Sequence, residues 1–152
     1  MRDVFQQAAD RLSPGALEVW VGAFNDCTVL KLYKNTWANP GENPLTAVSR
    51  IFFSVWIAPK REGLLFYNIH ALKLRHLKGY KIESRRFAET FRKAFSKHAR
   101  SWKNVSTDFG PLTLMQGHVE IEPERLEDQI VALSNNFLQI GHLIDETLAL
   151  FH

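Results

Sequence analysis

The sequence predicts one α+β domain over residues 1–152, in which a mainly antiparallel sheet of about five strands is covered by an amphipathic helix and a long C-terminal helix. Short segments with alternating apolar and polar residues are separated by turn residues, as in antiparallel sheets. Two later segments repeat apolar residues every three or four positions, which is the helical period. The chain has no internal repeat and no linker, and its length suits a single domain.

The first part of the chain predicts a short helix followed by a hairpin. Apolar residues recur at helical spacing in residues 4–12. They then alternate with polar residues in 17–23 and 28–33, with Asn25-Asp26 as the turn between two strands. Residues 35–44 hold two Pro, one Gly and three Asn, which predicts an exposed and mobile loop.

Two strongly apolar strands are predicted next. Residues 51–57 are apolar on both faces, as in a central strand that is covered on both sides or has an aromatic outer face. Residues 64–69 predict its partner in a hairpin. Residues 70–77 fit either a strand or a helical turn, and we favour a strand or irregular structure.

The last third of the chain predicts two helices and the remaining strands. Residues 84–103 place Phe and Trp on one side of a helix and Lys and Arg on the other. Residues 112–121 predict one or two strands around Gly117. A long helix is predicted from Pro123 to the C-terminus, with Gly141 as a candidate kink.

The basic residues are concentrated in one segment. Thirteen of the nineteen Lys and Arg residues lie between Lys60 and Lys103, against three acids, so this segment has a net charge of +10. Residues 1–59 are balanced, and residues 105–152 carry a net charge of −7. This asymmetry indicates an anionic partner or an electrostatic contact within the protein.

We therefore favour a non-enzymatic binding module that uses a basic helix surface to contact RNA, single-stranded nucleic acid or another polyanion. The segment matches no helix-turn-helix, RNP, KH or zinc-finger pattern, and a solvated helix face would explain the same charges. A third interpretation is that the acidic residues 120–128 face the basic helix. The basic surface consists of the candidate residues Lys73, Arg75, Lys78, Arg85, Arg92, Lys93, Lys97 and Arg100.

Aromatic residues on two adjacent strands indicate an alternative function. If one face of the sheet is uncovered, the rings in residues 52–67 would line an apolar pocket for a small ligand or a substrate. The same run of rings is more commonly part of a core. The candidate pocket residues are Arg50, Trp56, Tyr67, Asn68 and His70.

The chain has no recognisable motif for catalysis, nucleotides or metals. It lacks the GxSxG, GxGxxG and P-loop patterns, and its histidines lack the spacing of a tetrahedral zinc site. We expect no metal site and no cofactor. Cys27, the single Cys, is expected to be a small buried or edge residue rather than a nucleophile. An enzyme would need polar residues from distant segments to converge in a cleft.

The sequence also bears on location and assembly. A lone Cys allows no intramolecular disulfide, and the N-terminal residues lack the apolar core of a signal peptide. No segment approaches the ~18 apolar residues of a membrane span, so we expect a soluble cytoplasmic protein. The apolar stripe of the C-terminal helix is longer than two or three strands can cover, which predicts a homodimer through this helix.

Overall fold

The computed structural model describes all residues 1–152 and shows a single α+β domain. One antiparallel sheet is combined with three helices, as predicted. The strands are β1 (Glu18–Phe24), β2 (Cys27–Tyr33), β3 (Arg50–Ile57), β4 (Leu64–Leu72) and β5 (Thr113–Glu120). The helices are α1 (Arg2–Asp10), α2 (Ser84–Phe95) and α3 (Leu126–Ala149).

The five strands lie in the sheet in the order in which they occur in the chain, and every neighbouring pair is antiparallel. Strand β3 is therefore central. Because side chains alternate between the two faces of a strand, each strand contributes every second residue to each face. The three helices cover one face, where they build a core with residues such as Phe53, Leu30 and Ile69. The other face, which we call the open face, has no helix over it.

The hairpin of β1 and β2 forms where the sequence predicts it. Asn25 and Asp26 have φ angles of 49° and 64°, and Phe24 is paired with Cys27 on either side of them. Two consecutive left-handed residues are typical of a type I′ turn, whose twist matches that of the two strands. Asn and Asp tolerate this conformation better than most residues do, so a local signal was sufficient here.

The segment of residues 35–44 is exposed at residues 35, 36 and 40–43, as predicted, but residues 37–39 are buried. Trp37 is fully buried, and its Nε1 donates a hydrogen bond of 2.8 Å to Asp145 of α3. Asn39 is also buried: its side-chain amide donates to the His76 carbonyl at 3.0 Å and accepts from the Lys78 amide at 2.7 Å. The turn residues were identified correctly, but tertiary contacts hold the segment against the domain.

Helix α2 ends eight residues earlier than predicted, at Phe95. After it the chain turns, so that Trp102 reaches the core and packs 5.0 Å from Tyr67 and 4.7 Å from Phe137, between ring centroids. The helix is capped by Glu83, whose carboxylate accepts hydrogen bonds from the backbone amides of Arg85 and Arg86. Burial of Trp102 therefore overrides the helical period of the last predicted turns.

Helix α3 buries its apolar stripe within the chain and runs unbroken through Gly141. Phe137 is fully buried and stacks on Phe53, with ring centroids 4.7 Å apart. Helices α1 and α2 both pack against α3 and cover it further. The dimer was predicted because part of this stripe was expected to remain exposed, and the structure leaves no such part. The dimer stays a prediction without that support. No helix in the protein has both the length and the apolarity to cross a membrane.

Candidate functional site on the open sheet face

The open face carries a polar row between two rows of mainly aromatic residues. The register places Lys31 opposite Ser54, Ser54 opposite Asn68, and Asn68 opposite Gln116, so these four side chains cross the sheet in one line. Adjacent strands are about 4.8 Å apart, so neighbours in this row can share one ligand. The flanking rows contain Val29, Trp56, Phe66 and His118 on one side, and Phe52 and His70 on the other.

These rows line a depression of about 330 Å³. This volume lies near the lower end of the ~300–1,000 Å³ range of small-molecule sites. The wall contains the two basic side chains of Lys31 and Arg50 and no Asp or Glu. The lining residues are Phe24, Asn25, Cys27, Val29, Lys31, Arg50, Phe52, Ser54, Trp56, Asn68, His70 and Leu72.

Lys31 lies among aromatic rings without a carboxylate partner. Its Nζ is 4.4 Å from the ring centroid of Phe52, 5.6 Å from that of Phe24 and 5.7 Å from that of Trp20. Burial lowers the pKa of Lys31, and the nearby positive charge of Arg50 lowers this pKa further. An ammonium group in this position is attracted by the rings but has lost part of its hydration without gaining a counter-ion.

Arg50, the first residue of β3, adds a second cation. Its Nη1 donates a hydrogen bond of 2.5 Å to the Ala47 carbonyl, and its Cζ is 5.2 Å from the ring centroid of Phe52. Its Nε is buried and has no hydrogen-bond partner. Burial lowers the pKa of Arg50. A buried donor without a partner is costly, so its persistence calls for an explanation.

Asn68 in the centre of the polar row is buried and only partly satisfied. Its Nδ2 donates to His70 Nε2 at 2.9 Å and to Gln116 Oε1 at 3.1 Å, whereas its Oδ1 has no partner. His70 Nδ1 lies 3.3 Å from the Leu112 carbonyl, which accepts a hydrogen bond from this nitrogen in the tautomer that carries its proton on Nδ1. Burial lowers the pKa of His70 and favours this neutral form. The imidazole thus directs the Asn68 amide nitrogen and leaves Oδ1 as a free acceptor.

The structure brings four of the five candidate pocket residues together: Arg50, Trp56, Asn68 and His70 all line the depression. Tyr67 does not, because it lies on the helix-covered face. It is fully buried, and its hydroxyl donates a hydrogen bond of 2.5 Å to the Lys103 carbonyl. Burial raises the pKa of Tyr67. Successive side chains of β4 point to opposite faces of the sheet, so Tyr67 lies on the face opposite to that of Phe66 and Asn68.

The candidate residues of the basic surface are exposed, with Arg92 as the exception. None of the eight takes part in a salt bridge. The acidic residues at the start of α3 do not face them: Glu127 and Asp128 both bind Arg11, at 2.7 Å and 2.9 Å, beside α1. The structure therefore shows no salt bridge between the acidic segment and the basic helix.

Arg92 occupies a different environment from the exposed helix face that the sequence predicts. Its guanidinium donates hydrogen bonds to the backbone carbonyls of Phe109, Gly110, Thr113 and Leu114, at 2.8 to 3.0 Å. These bonds attach α2 to the segment that leads into β5. Arg92 therefore has a structural role and leaves few donors for a partner.

Sequence reasoning missed Lys31, Ser54 and Cys27 as pocket residues. Lys31 lies on the same face of its strand as Val29 and Tyr33, where an apolar residue is expected. This charged residue on a largely apolar face was the available signal of a site. The signal was insufficient, because the partners of Lys31 come from β3 and β4 and depend on the register. The lone thiol of Cys27 lies at the edge of the same depression.

Comparisons with protein-family models, curated proteins and solved structures gave no match to this chain. The structure contains no group of three or more His, Cys, Asp or Glu side chains that is arranged to hold a metal ion. The open face and the basic surface are therefore the two candidate functional regions of the chain.

Proposed function

We propose that the protein is a binding module that holds a small organic ligand in the depression on the open face. The observation that carries this proposal is the convergence of basic and polar side chains between aromatic walls, with no acidic side chain among them. Lys31 and Arg50 line the depression and form no salt bridge, so their charges are available to a ligand.

The shape and composition of the depression support the same function. Ligand sites are typically concave and mainly apolar, with a few polar groups that fix orientation. Phe52 and Trp56 provide apolar surface on both sides of the polar row, and the Trp56 ring stacks on Phe66 with centroids 5.4 Å apart. A ligand with one or two flat rings would fit against them and leave its polar end beside the basic and polar side chains of the depression.

The single thiol provides a local test of ligand binding. Because Cys27 lines the depression, a bound ligand should slow its alkylation by iodoacetamide, measured by mass spectrometry. Suitable probes are 2-naphthamide, which is neutral, and 2-naphthoate, which has the same rings and a carboxylate. We expect at least one of them to protect Cys27 in a saturable manner.

A filling variant provides the matched control. Ser54→Leu adds bulk at the centre of the depression and should abolish protection, whereas Ser101→Leu adds the same bulk to an exposed turn elsewhere and should leave protection unchanged. Circular dichroism would verify that both variants fold. Absence of protection by both probes, or equal protection in Ser54→Leu and wild type, would show that the depression is not a ligand site.

We also propose a second function, in which the basic surface binds RNA, single-stranded nucleic acid or another polyanion. It is supported by the exposure of seven of its eight residues and by their lack of ion pairs. Cations in such a surface release counterions from phosphates when they bind. None of its eight residues lines the depression on the open face, and no further feature selects one partner, so this function ranks second.

Salt dependence tests this second function. A labelled single-stranded oligonucleotide should bind at low salt, with a log-log slope of roughly −0.7 per phosphate neutralised. The double reversal Lys93→Glu and Lys97→Glu should abolish binding. A matched reversal of two exposed cations outside the surface, Arg2→Glu and Arg125→Glu, should weaken it far less. If the two double reversals weaken binding equally, the binding is a nonspecific attraction to the whole protein and the basic surface is not the binding site.

A further inference from the structure

The depression on the open face has an uncompensated positive charge. Lys31 and Arg50 both line it, both lie close to the ring of Phe52, and no acidic side chain is present in its wall. Neither cation forms a salt bridge. Partly desolvated charges are usually paired, and two like charges at one site destabilise each other. The chain itself therefore offers these two cations no partner of opposite charge.

We propose that the ligand of this depression is an organic acid, whose carboxylate binds between Lys31 and Arg50 and whose apolar body lies against Phe52 and Trp56. This inference rests on the proposed ligand-binding function and adds the chemical class of the ligand. It also assigns Lys31, which lies in the middle of β2, as the central binding residue.

The guanidinium of Arg50 favours a carboxylate. Its Nη1 donates to the Ala47 carbonyl and its Nε is buried, so Nη2 is the nitrogen that remains accessible without a bond inside the protein. A charge-assisted hydrogen bond from a guanidinium to a carboxylate is stronger than one to a neutral acceptor. The bond to Ala47 fixes the orientation of the guanidinium before a ligand arrives, which reduces the entropy lost on binding.

Lys31 complements Arg50 as a mobile point charge. Its ammonium group can donate three hydrogen bonds and forms no salt bridge within the protein. A carboxylate would thus receive donors from two sides and neutralise both cations to a large extent. The aromatic rings around Lys31 exclude water and strengthen this attraction.

Asn68 adds no further requirement for the ligand. Its amide nitrogen already donates to His70 and Gln116, and its Oδ1 is buried. The predicted class is therefore a small organic acid with an apolar, preferably flat, body.

The probe pair of 2-naphthoate and 2-naphthamide isolates the charge, since the two molecules differ mainly in the acidic group. From the concentration dependence of Cys27 protection, naphthoate should bind at least about tenfold more tightly than naphthamide. Lys31→Met should weaken naphthoate binding by at least about tenfold and leave naphthamide binding within about twofold. Lys97→Met removes a cation from an exposed position and should change neither affinity.

Arg50→Gln provides a second variant if Lys31→Met does not fold, because Gln can still donate to the Ala47 carbonyl. It should also weaken naphthoate binding selectively. Equal affinities for the two probes in wild type, or unchanged naphthoate binding in both variants, would overturn the inference and leave the ligand site intact. Failure of both probes to protect Cys27 would overturn the proposed function itself, and this inference with it.

Discussion

Replacing Arg92 with Ala should destabilise the domain strongly, although a charged residue on a helix surface usually contributes little. The guanidinium donates to four backbone carbonyls between Phe109 and Leu114, which lie just before and within the start of β5. No carboxylate takes part in these bonds. Loss of the side chain would leave several carbonyls of one segment without their donor and would detach that segment from α2.

The expected magnitude follows from the burial of each bond. The bonds to Leu114 and Thr113 are partly buried, and charge-assisted bonds of this kind contribute about 1.5 kcal/mol each. The bonds to Phe109 and Gly110 are exposed, so water replaces them at little cost. We expect Arg92→Ala to lower the free energy of unfolding by about 2–4 kcal/mol.

Urea denaturation followed by circular dichroism measures this effect. Lys93→Ala is the matched control, because Lys93 is the next residue, is exposed and has no ion pair. It should change the free energy of unfolding by less than about 0.5 kcal/mol. Arg92→Lys should give an intermediate loss, since a single ammonium group cannot reach four carbonyls. A loss for Arg92→Ala that equals that of Lys93→Ala would refute the reasoning.

Three further substitutions test the core and the open face. Phe91→Ala removes a fully buried ring from α2 and should cost about 3–5 kcal/mol in urea denaturation. Gly117→Ala should cost about 3 kcal/mol or more, because its Cβ would lie 2.2 Å from the buried hydroxyl oxygen of Tyr67; a smaller loss would mean that this ring can shift. The pKa of His70 is lowered in the native state, whereas the same side chain titrates near 6.5 in the unfolded chain. As the pH falls through about 6.5, the unfolded chain therefore binds more protons than the native state, and the native state loses stability. His70→Gln removes this loss of stability. Its unfolding free energy relative to wild type should therefore rise as the pH is lowered from about 7.5 to about 5.5. A difference that stays constant over this range would contradict a buried neutral imidazole.

The sequence by itself determined the elements whose signals are local. The turn at Asn25-Asp26 defines its hairpin because two adjacent residues that tolerate positive φ are sufficient for a type I′ turn. The stripe of Phe87, Phe91 and Phe95 identified the buried side of α2, because helical spacing places these residues on one face. The concentration of charge between Lys60 and Lys103 was likewise readable from the chain.

Only the tertiary structure decided which face of the sheet is covered and which residues meet there. Both faces of β3 are apolar, so alternation did not distinguish Phe53 in the core from Phe52 on the open face. Lys31 and Asn68 lie in one row because of the register of the strands. The environment of Arg92 arises because the segment before β5 folds back on α2. Such contacts join segments far apart in the chain, and no local period encodes them. The physical reason is that burial and charge pairing are properties of the packed molecule, whereas periodicity is a property of each segment.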